Sequence, residues 1–408
     1  MTERRAWTRA ARALATSVLV AGVLAAAGFA VAGCGTDNHR TRTSAAVSPA
    51  GAATAQSTTG ALSARPALSA RPPALVDPHN VYAADGPNAL SPVVRRFRPL
   101  IYVPNSGSNT VDEIDPHTYR IVRHFAVGAL PQHVVPSYDL RTLWVTNDEG
   151  NSLTPINPAN GVPGRPVPVE DPYNMYFTPD GRYAVVMAER LRRIDFRDAH
   201  TMRLHHSLSV PQCAGVNHAD YTADGRFMLI TCEFGSSMIV VNVAREQVVR
   251  TIPLASGASP QDVKLSPDGR VFYVADLYHD GVWKIDAQTF KVLGLVPTGA
   301  GAHGLYPSRD ARWLYISNRS AGTISVLSFA TRKVVKTWTI PGGSPDMGGV
   351  STSGHVLWLS GRYDGAVYAI DTSTGKLLHR IPVGAAPHGL CVYPQPGRYS
   401  LGHTGVFR

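Results

Sequence analysis

Seven segments of this chain open on a polar or aromatic residue at nearly fixed spacing. The residues are Gln132, Tyr173, Asn217, Gln261, His303, Asp346 and His388, separated by 41, 44, 44, 42, 43 and 42 positions. Between them lie short β-branched and aromatic runs punctuated by Asp-Gly turns, the pattern of successive hairpins. A repeat of this length, built from four short strands, predicts an all-β chain: a seven-bladed β-propeller of four-stranded blades over residues 89–394. In such a ring the seven opening residues gather around one mouth of the central channel.

The fifth unit shows the blade most clearly. Val263–Ser266 reads as inner strand a, and Pro267-Asp268-Gly269 turns it into strand b, Val271–Ala275. Gly281–Asp286 is strand c and Val292–Val296 strand d. Leu143-Trp144-Val145-Thr146-Asn147 resembles the Tyr-Val-Thr-Asn core of the YVTN-repeat propellers, with variants at Tyr102–Asn105, Tyr273–Asp276 and Tyr315–Asn318. Thr178-Pro179-Asp180-Gly181, Ser266–Gly269 and Asp371–Lys376 are similar to that family's turns. The resemblance covers about residues 99–394 and departs at strand b of the third and fourth units, Ala184–Met187 and Leu229–Cys232. It implies the fold and leaves the activity open, because function lives in sites grafted on folds. The aromatic residues of the strand b segments, Tyr102, Trp144, Tyr273, Tyr315 and Trp358, are expected to pack between blades.

The first blade begins at its strand b, Leu100–Val103, and the chain ends with a lone inner strand, Gly389–Tyr393. That strand is expected to complete the first blade and remove the open sheet edge. Val81–Gly86 resembles a strand and turn for the same slot, but Pro387-His388-Gly389 matches the repeat better. Residues 395–408 are then expected to form a surface tail.

Ahead of the repeat, Arg4, Arg5, Arg9 and Arg12 precede an apolar run, Ala13–Ala32, that ends in Val31-Ala32-Gly33-Cys34. The ending resembles a bacterial lipobox and implies a lipoprotein signal peptide over residues 1–33, cleaved before Cys34, whose thiol is acylated. An uncleaved anchor is the alternative, since ~20 apolar residues span a bilayer, but it has no need of the small-small-Cys ending. General secretion fits better than twin-arginine export, because Ala6-Trp7-Thr8 departs from the context of that signal. Residues 34–88 are rich in Ala, Ser, Thr and Pro and repeat Leu62–Pro66 at Leu68–Pro72, which predicts a disordered tether. The expected product is exported and lipid-anchored at the bacterial cell membrane or on a periplasmic or outer-membrane face.

Net charge is +10, but the leader carries four arginines against one glutamate, and residues 34–98 seven arginines against three aspartates. The remaining +3 over residues 99–408 is no nucleic-acid footprint; the basic tether suits anionic lipid headgroups. Beyond Cys34, Cys213 and Cys232 fall at one rim of the same blade, where a disulfide is reasonable in an exported protein. Cys391 reads as a buried thiol.

The d–a and b–c connections open on the same face and form a dense polar mouth. Blades two to five supply mainly carboxylates, whereas blades six, seven and one supply Arg319, Arg362, His303 and His388 against Asp346. A mouth acidic on one side and basic on the other orients a dipolar ligand. The candidate ligand-binding residues are His133, His218, Glu233, Asp262, Asp276, His303, Arg319, Arg362 and His388. The function expected is non-catalytic capture of a small polar ligand, an envelope glycan or an envelope protein, by a monomer without a cofactor.

Two alternatives stand beside it. Metal or haem binding draws on His133, His218, His303 and His388, but the four come from separate blades with no local His pair, so no metal site is assigned. Lactone hydrolysis draws on His133, Glu189, Glu233 and Arg362, with Glu233 or His218 as general base. No Gly-x-Ser-x-Gly elbow or phosphate loop is present. A purely structural platform is the third possibility.

Overall fold

The computed structural model describes residues 72–403 and 405–408; the leader, Cys34 and most of the tether lie outside the described residues. The described chain forms seven antiparallel sheets. Their inner strands touch their neighbours in a ring, so the fold is a seven-bladed propeller. In blade five the strands are Pro260–Leu265, Val271–Asp276, Gly281–Asp286 and Val292–Pro297. Inner strands such as Pro131–Pro136, Pro172–Phe177 and Val216–Tyr221 are buried along their whole length. Outer strands such as Arg120–Ala126 lie mostly at the surface.

Seven apolar clusters account for the core, one at each interface between adjacent blades. The strand b aromatics sit in them: Trp358, for example, packs with Ile101, Val103 and Val392 across the interface of blades seven and one. Blade two departs from the regular unit. Its outer strand is split into Val162–Pro163 and Val167–Pro168, both pairing with Ser152–Asn157. Prolines at 163, 166 and 168 remove the amide donors that a continuous outer strand needs.

The a–b turns repeat one device. In blade five the Ser266 hydroxyl accepts from the amides of Arg270 (3.2 Å) and Val271 (2.9 Å). Thr178 and Thr222 do the same for Tyr183 and Phe227, each at 3.1 Å. The Ser/Thr-x-Asp sequence thus satisfies the amide that opens strand b.

Ring closure falls to the C-terminal strand. Cys391–Tyr393 pairs with Leu100–Asn105, in the register Leu100 with Tyr393 and Tyr102 with Cys391. Val81–Gly86 is no blade strand. It contains a short 3-10 turn, Ala83–Asp85, and packs beneath blades four and five. The Val81 amide donates to Pro267 O (2.8 Å), and the Tyr82 hydroxyl donates to Leu265 O (2.7 Å). The described end of the expected tether is therefore bound to the domain rather than loose.

The larger correction concerns the expected surface tail. Tyr399, Ser400, Leu401, Val406, Phe407 and Arg408 are all buried, and Tyr399, Leu401 and Val406 join the core between blades three and four. The tail folds back on itself, with Leu401 N donating to Val406 O (2.8 Å), and lies along the inner strand of blade three. There Phe177 N donates to Leu401 O (2.9 Å) and His403 N to Met175 O (3.1 Å). Gly402 is required at this contact, because a Cβ there would come within 2.4 Å of Tyr176 Cα. The driving force is the tail's apolar content, which a solvated segment has no means to bury.

Leu401→Ala is expected to cost ~2–4 kcal/mol in chemical denaturation, the range of a buried leucine. A cost below ~0.5 kcal/mol, the value for an exposed position, would show that the tail does not pack as described.

Candidate functional site

Local irregularity places the channel residues. Pairing between inner and second strands slips between Pro131 and Val134, Val216 and Ala219, Pro260 and Val263, Ala302 and Leu305, and Pro345 and Gly348. Each slip is a bulge at the second and third residues of the strand, which re-aims consecutive side chains. Gln132 with His133, and Asn217 with His218, occupy two such bulges. The third residue of the Tyr-Val-Thr-Asn pattern repairs the gap. Thr146 Oγ1 accepts from His133 N (3.0 Å) and donates to Tyr173 O (3.0 Å), and Thr231 Oγ1 accepts from His218 N (3.0 Å). Ser317 and Ser360 serve Gly304 and Met347 in the same way.

The mouth divides into two halves. On one side the Asn217 carboxamide donates to Glu233 Oε2 (2.6 Å) and reaches Glu189 Oε1 (3.3 Å), holding two carboxyl groups together. Burial, then the Glu233 charge, pushes Glu189 up to about 8, and burial raises Glu233 as well. Glu189 therefore holds its proton near neutral pH. On the other side Asp346 is the hub. Arg319 donates to Asp346 Oδ1 through Nη2 (2.6 Å) and Nε (2.8 Å), while His388 Nδ1 lies 2.7 Å from Oδ2 and His303 Nδ1 3.0 Å from Oδ1. Burial alone would raise the Asp346 carboxyl, but Arg319 and then the two histidines hold it well below the usual range.

Burial and then Arg319 push His303 down to about 4, and burial and then Arg362 push His388 down to about 3. Both rings are neutral at pH 7; His388 Nδ1 is hydrogen-bonded to the carboxylate, whereas His303 Nδ1 lies beside it without hydrogen-bond alignment. Among the described residues the Arg362 guanidinium donates one long hydrogen bond, 3.4 Å to Ser106 Oγ, and pairs with no carboxylate. Tyr173 stands between the halves: its hydroxyl is 3.5 Å from His388 Nε2, and its ionisation is opposed by burial and by Glu189 and Glu233, and eased by Arg362 and Arg319.

Below this ring lies a sealed layer of imidazoles. His133, His218 and His403 are fully buried, and one ring nitrogen of each lies within 4.8 Å of those of the other two. Asn174 Nδ2 is 3.2 Å from His218 Nδ1 and 3.1 Å from His403 Nδ1. Neither ring nitrogen of His133, nor Nε2 of His218, has a hydrogen-bond partner among the described residues. A buried polar atom left in that state costs ~1–3 kcal/mol. Burial, and then neighbouring imidazoles, hold all three rings neutral, with His388 the next influence on His133 and His303 on His218. Gly389 makes the space, since a Cβ there would lie 1.9 Å from His133 Nδ1.

Of the nine sequence candidates, Glu233, His303, Arg319, Arg362 and His388 meet at the mouth, and His133 and His218 meet in the layer beneath. Two do not belong. Asp276 is spent inside its own b–c loop, accepting from Ser259 N (3.0 Å), Tyr278 N (3.1 Å) and Trp283 Nε1 (2.8 Å). It occupies the position where Asn147 and Asn318 brace their hairpins through Thr154 (2.9 Å) and Ser325 (3.0 Å). Asp262 is buried against Lys264 Nζ (2.9 Å) and accepts from Leu305 N (3.0 Å), which ties blade five to blade six. Glu189, Asn217, Tyr173 and Asp346 were visible as polar residues of the repeat, but their roles in pairing charges were not. His403 lies outside the repeat, and the only signal for it was a tail too apolar to be solvated. Cys213 and Cys232 are joined in a disulfide, with Cα atoms 4.8 Å apart, and Cys391 is a buried thiol.

The site thus sits in the channel of an all-β propeller whose bulged inner strands present polar side chains to the axis. A YNCE-like β-propeller family model matches residues 88–396, and the chain belongs to that family. No curated protein matches the chain. Solved structures with similar folds include Kuenenia stuttgartiensis hydrazine synthase, with 18% identity, coverage of 70% of this chain and 98% of that one, and a TM-score of 0.58. The periplasmic gluconolactonase PpgL of Pseudomonas aeruginosa is 18% identical and covers 73% of this chain and 99% of its own, with a TM-score of 0.61. Dihydro-heme d1 dehydrogenase NirN, in complex with DHE, is 17% identical, covers 79% and 77%, and has a TM-score of 0.55. At these identities the likeness is one of fold.

The depressed histidines set the expected acid response. Folded His303 and His388 stay neutral where the unfolded chain takes up protons, so their contribution is intact above pH 6.5 and is lost as pH falls toward about 4 and about 3. Thermal melts from pH 7 to 4 should show Tm falling, with a shallower fall in His388→Asn; equal slopes would contradict this assignment. Glu189 acts in the opposite sense. Its folded-state proton stabilises below pH 4.5 and that contribution is lost as pH rises through about 8. Glu189→Gln should flatten the melt profile on that side.

Proposed function

We propose that the protein is an exported, lipid-anchored binding module whose mouth takes a small polyhydroxylated acid, free or as the acidic sugar of an envelope glycan. The observation that carries this reading is the polarised mouth: the Arg362 guanidinium on one side and the Asn217-bridged Glu189/Glu233 pair on the other. Arg362 supplies a fork for a carboxylate. The glutamates, with Asn217, supply donors and acceptors for hydroxyl groups. The arrangement requires no chemical step, and the capture role follows from recognition alone.

Anchoring at Cys34 fits the direction of the chain. The described residues begin beneath the a–b turns, with Pro72 beside Gly225 and Val81 bonded at Pro267, at the end of the blades remote from the mouth. The Cys213–Cys232 disulfide agrees with an oxidising compartment.

Arg362→Ala is the discriminating variant. Arg319 is unsuitable, because its loss strands the buried Asp346 charge at a cost of ~3–5 kcal/mol. Isothermal titration with glucuronate is expected to show binding to the wild type and a loss of about tenfold or more in Arg362→Ala, with stability changed by less than ~1 kcal/mol. Equal affinity in the variant would refute the role of the polarised mouth.

A second reading, opening of a sugar lactone, is favoured by one observation: Glu189, pushed up to about 8 beside Glu233, is poised for proton transfer at neutral pH. Turnover of δ-gluconolactone that disappears in Glu233→Gln would establish it. A rate equal to that of the variant would remove it.

A further inference from the structure

The imidazole layer is separate from the mouth and has no part in the function proposed above. We propose that His133, His218 and His403 form a site for one imidazole-preferring divalent transition ion, zinc or copper, which fastens the C-terminal hairpin into the channel. The three ligands come from blade two, blade four and the tail, so the ion would join parts of the chain that no repeat interface connects.

Three observations support this. The ligand nitrogens lie within 4.8 Å of one another. With bonds of about 2.1 Å, tetrahedral ligands lie roughly 3.4 Å apart, so ring rotations that draw the nitrogens in by about 1 Å close the site. His133 carries two buried nitrogens, and His218 one, without a hydrogen-bond partner among the described residues. His403 is held at φ 43°, a left-handed conformation that a non-glycine residue adopts at a cost, and this conformation places its ring in the cluster.

The surroundings suit an ion as well. Neutral imidazoles are the ligands that zinc and copper prefer. Asn174 lies on the Nδ1 side of both His218 and His403, where the orienting partner of a metal-bound histidine belongs. Loading would turn its carboxamide so that the oxygen accepts from the Nδ1–H groups, giving up the contact from Met175 N (2.8 Å). Asp262 lies 3.7 Å from His403 Nε2, with its charge paired to Lys264 Nζ at 2.9 Å, so the imidazoles alone would supply the ligands. The layer is sealed between the mouth and the hairpin, so the ion would enter during folding.

The test is to unfold the purified full-length protein in denaturant with chelator, then refold it with and without one equivalent of cobalt(II) or zinc. One bound ion per chain, visible d–d absorption for cobalt, and a Tm higher by about 5 °C or more with zinc are expected. His133→Gln, His218→Gln and His403→Gln should each lose the cobalt spectrum, whereas Arg362→Ala should keep it. X-ray absorption at the zinc edge of the wild type, which depends on no variant, should show three imidazole nitrogens. A wild type that refolds but binds no stoichiometric metal would overturn the proposal. Folded His403→Gln with an unchanged spectrum, or an edge spectrum dominated by oxygen ligands, would overturn it equally.

Discussion

Each inner strand of the ring has one edge paired within its own blade and one edge turned to the channel, and the groups on that free edge must find partners. Side chains from the preceding blade supply many of them. Asp220 accepts from Leu265 N (2.8 Å), Asp262 from Leu305 N (3.0 Å), Tyr176 from Ala219 N (2.9 Å) and Tyr306 from Gly348 N (2.7 Å). Where the pairing bulges, the Thr or Ser of strand b takes over. Along blade three the C-terminal hairpin provides backbone partners directly. Beside blade two, the segment that closes the ring does the same, with Val134 N donating to Gly389 O (3.0 Å).

This requirement explains why a ring of polar residues overstates the binding site when it is read from sequence. The channel of a propeller must be polar to satisfy its own backbone, whatever it binds. Asp262 and Asp276 looked like ligand residues because a carboxylate at the repeat position is chemically equal to one facing solvent. Only the hydrogen-bond geometry separates them. The groups that remain available after the backbone is served are Arg362, the glutamate pair and the imidazole layer, and the functional reading rests on these.

The repeat itself was legible because spacing near 42 residues and Asp-Gly turns are local signals that each blade restates. Closure by the C-terminal strand was legible for the same reason, since Pro387-His388-Gly389 carries the repeat's own entry. The tail and the segment around Tyr82 were not: the tail carries no repeat signal, Val81–Gly86 imitates a strand and turn it does not form, and both are bound by contacts distant in sequence. Arg408 pairs with Asp220 at 3.0 Å and lies over the Tyr82 ring at 5.0 Å, so the two ends of the described chain are joined beneath blades four and five. No periodicity announces such a contact. Composition did hint at it: Tyr399, Leu401, Val406 and Phe407 are too apolar for a solvated tail.

The two ends also make the channel one-sided. The hairpin occupies it from the side of the a–b turns, and the segment from Val81 to Asp85 covers the adjacent turns, with Asp85 3.3 Å from Arg309 Nη1. At the opposite end lies the d–a and b–c mouth, where the charges are sorted into halves. Within the channel, burial and then the Glu233 charge drive Glu189 upward, and burial and then Arg319 or Arg362 drive His303 and His388 downward. The tail does more than fill space. It carries His403 into the channel, against His133 and His218.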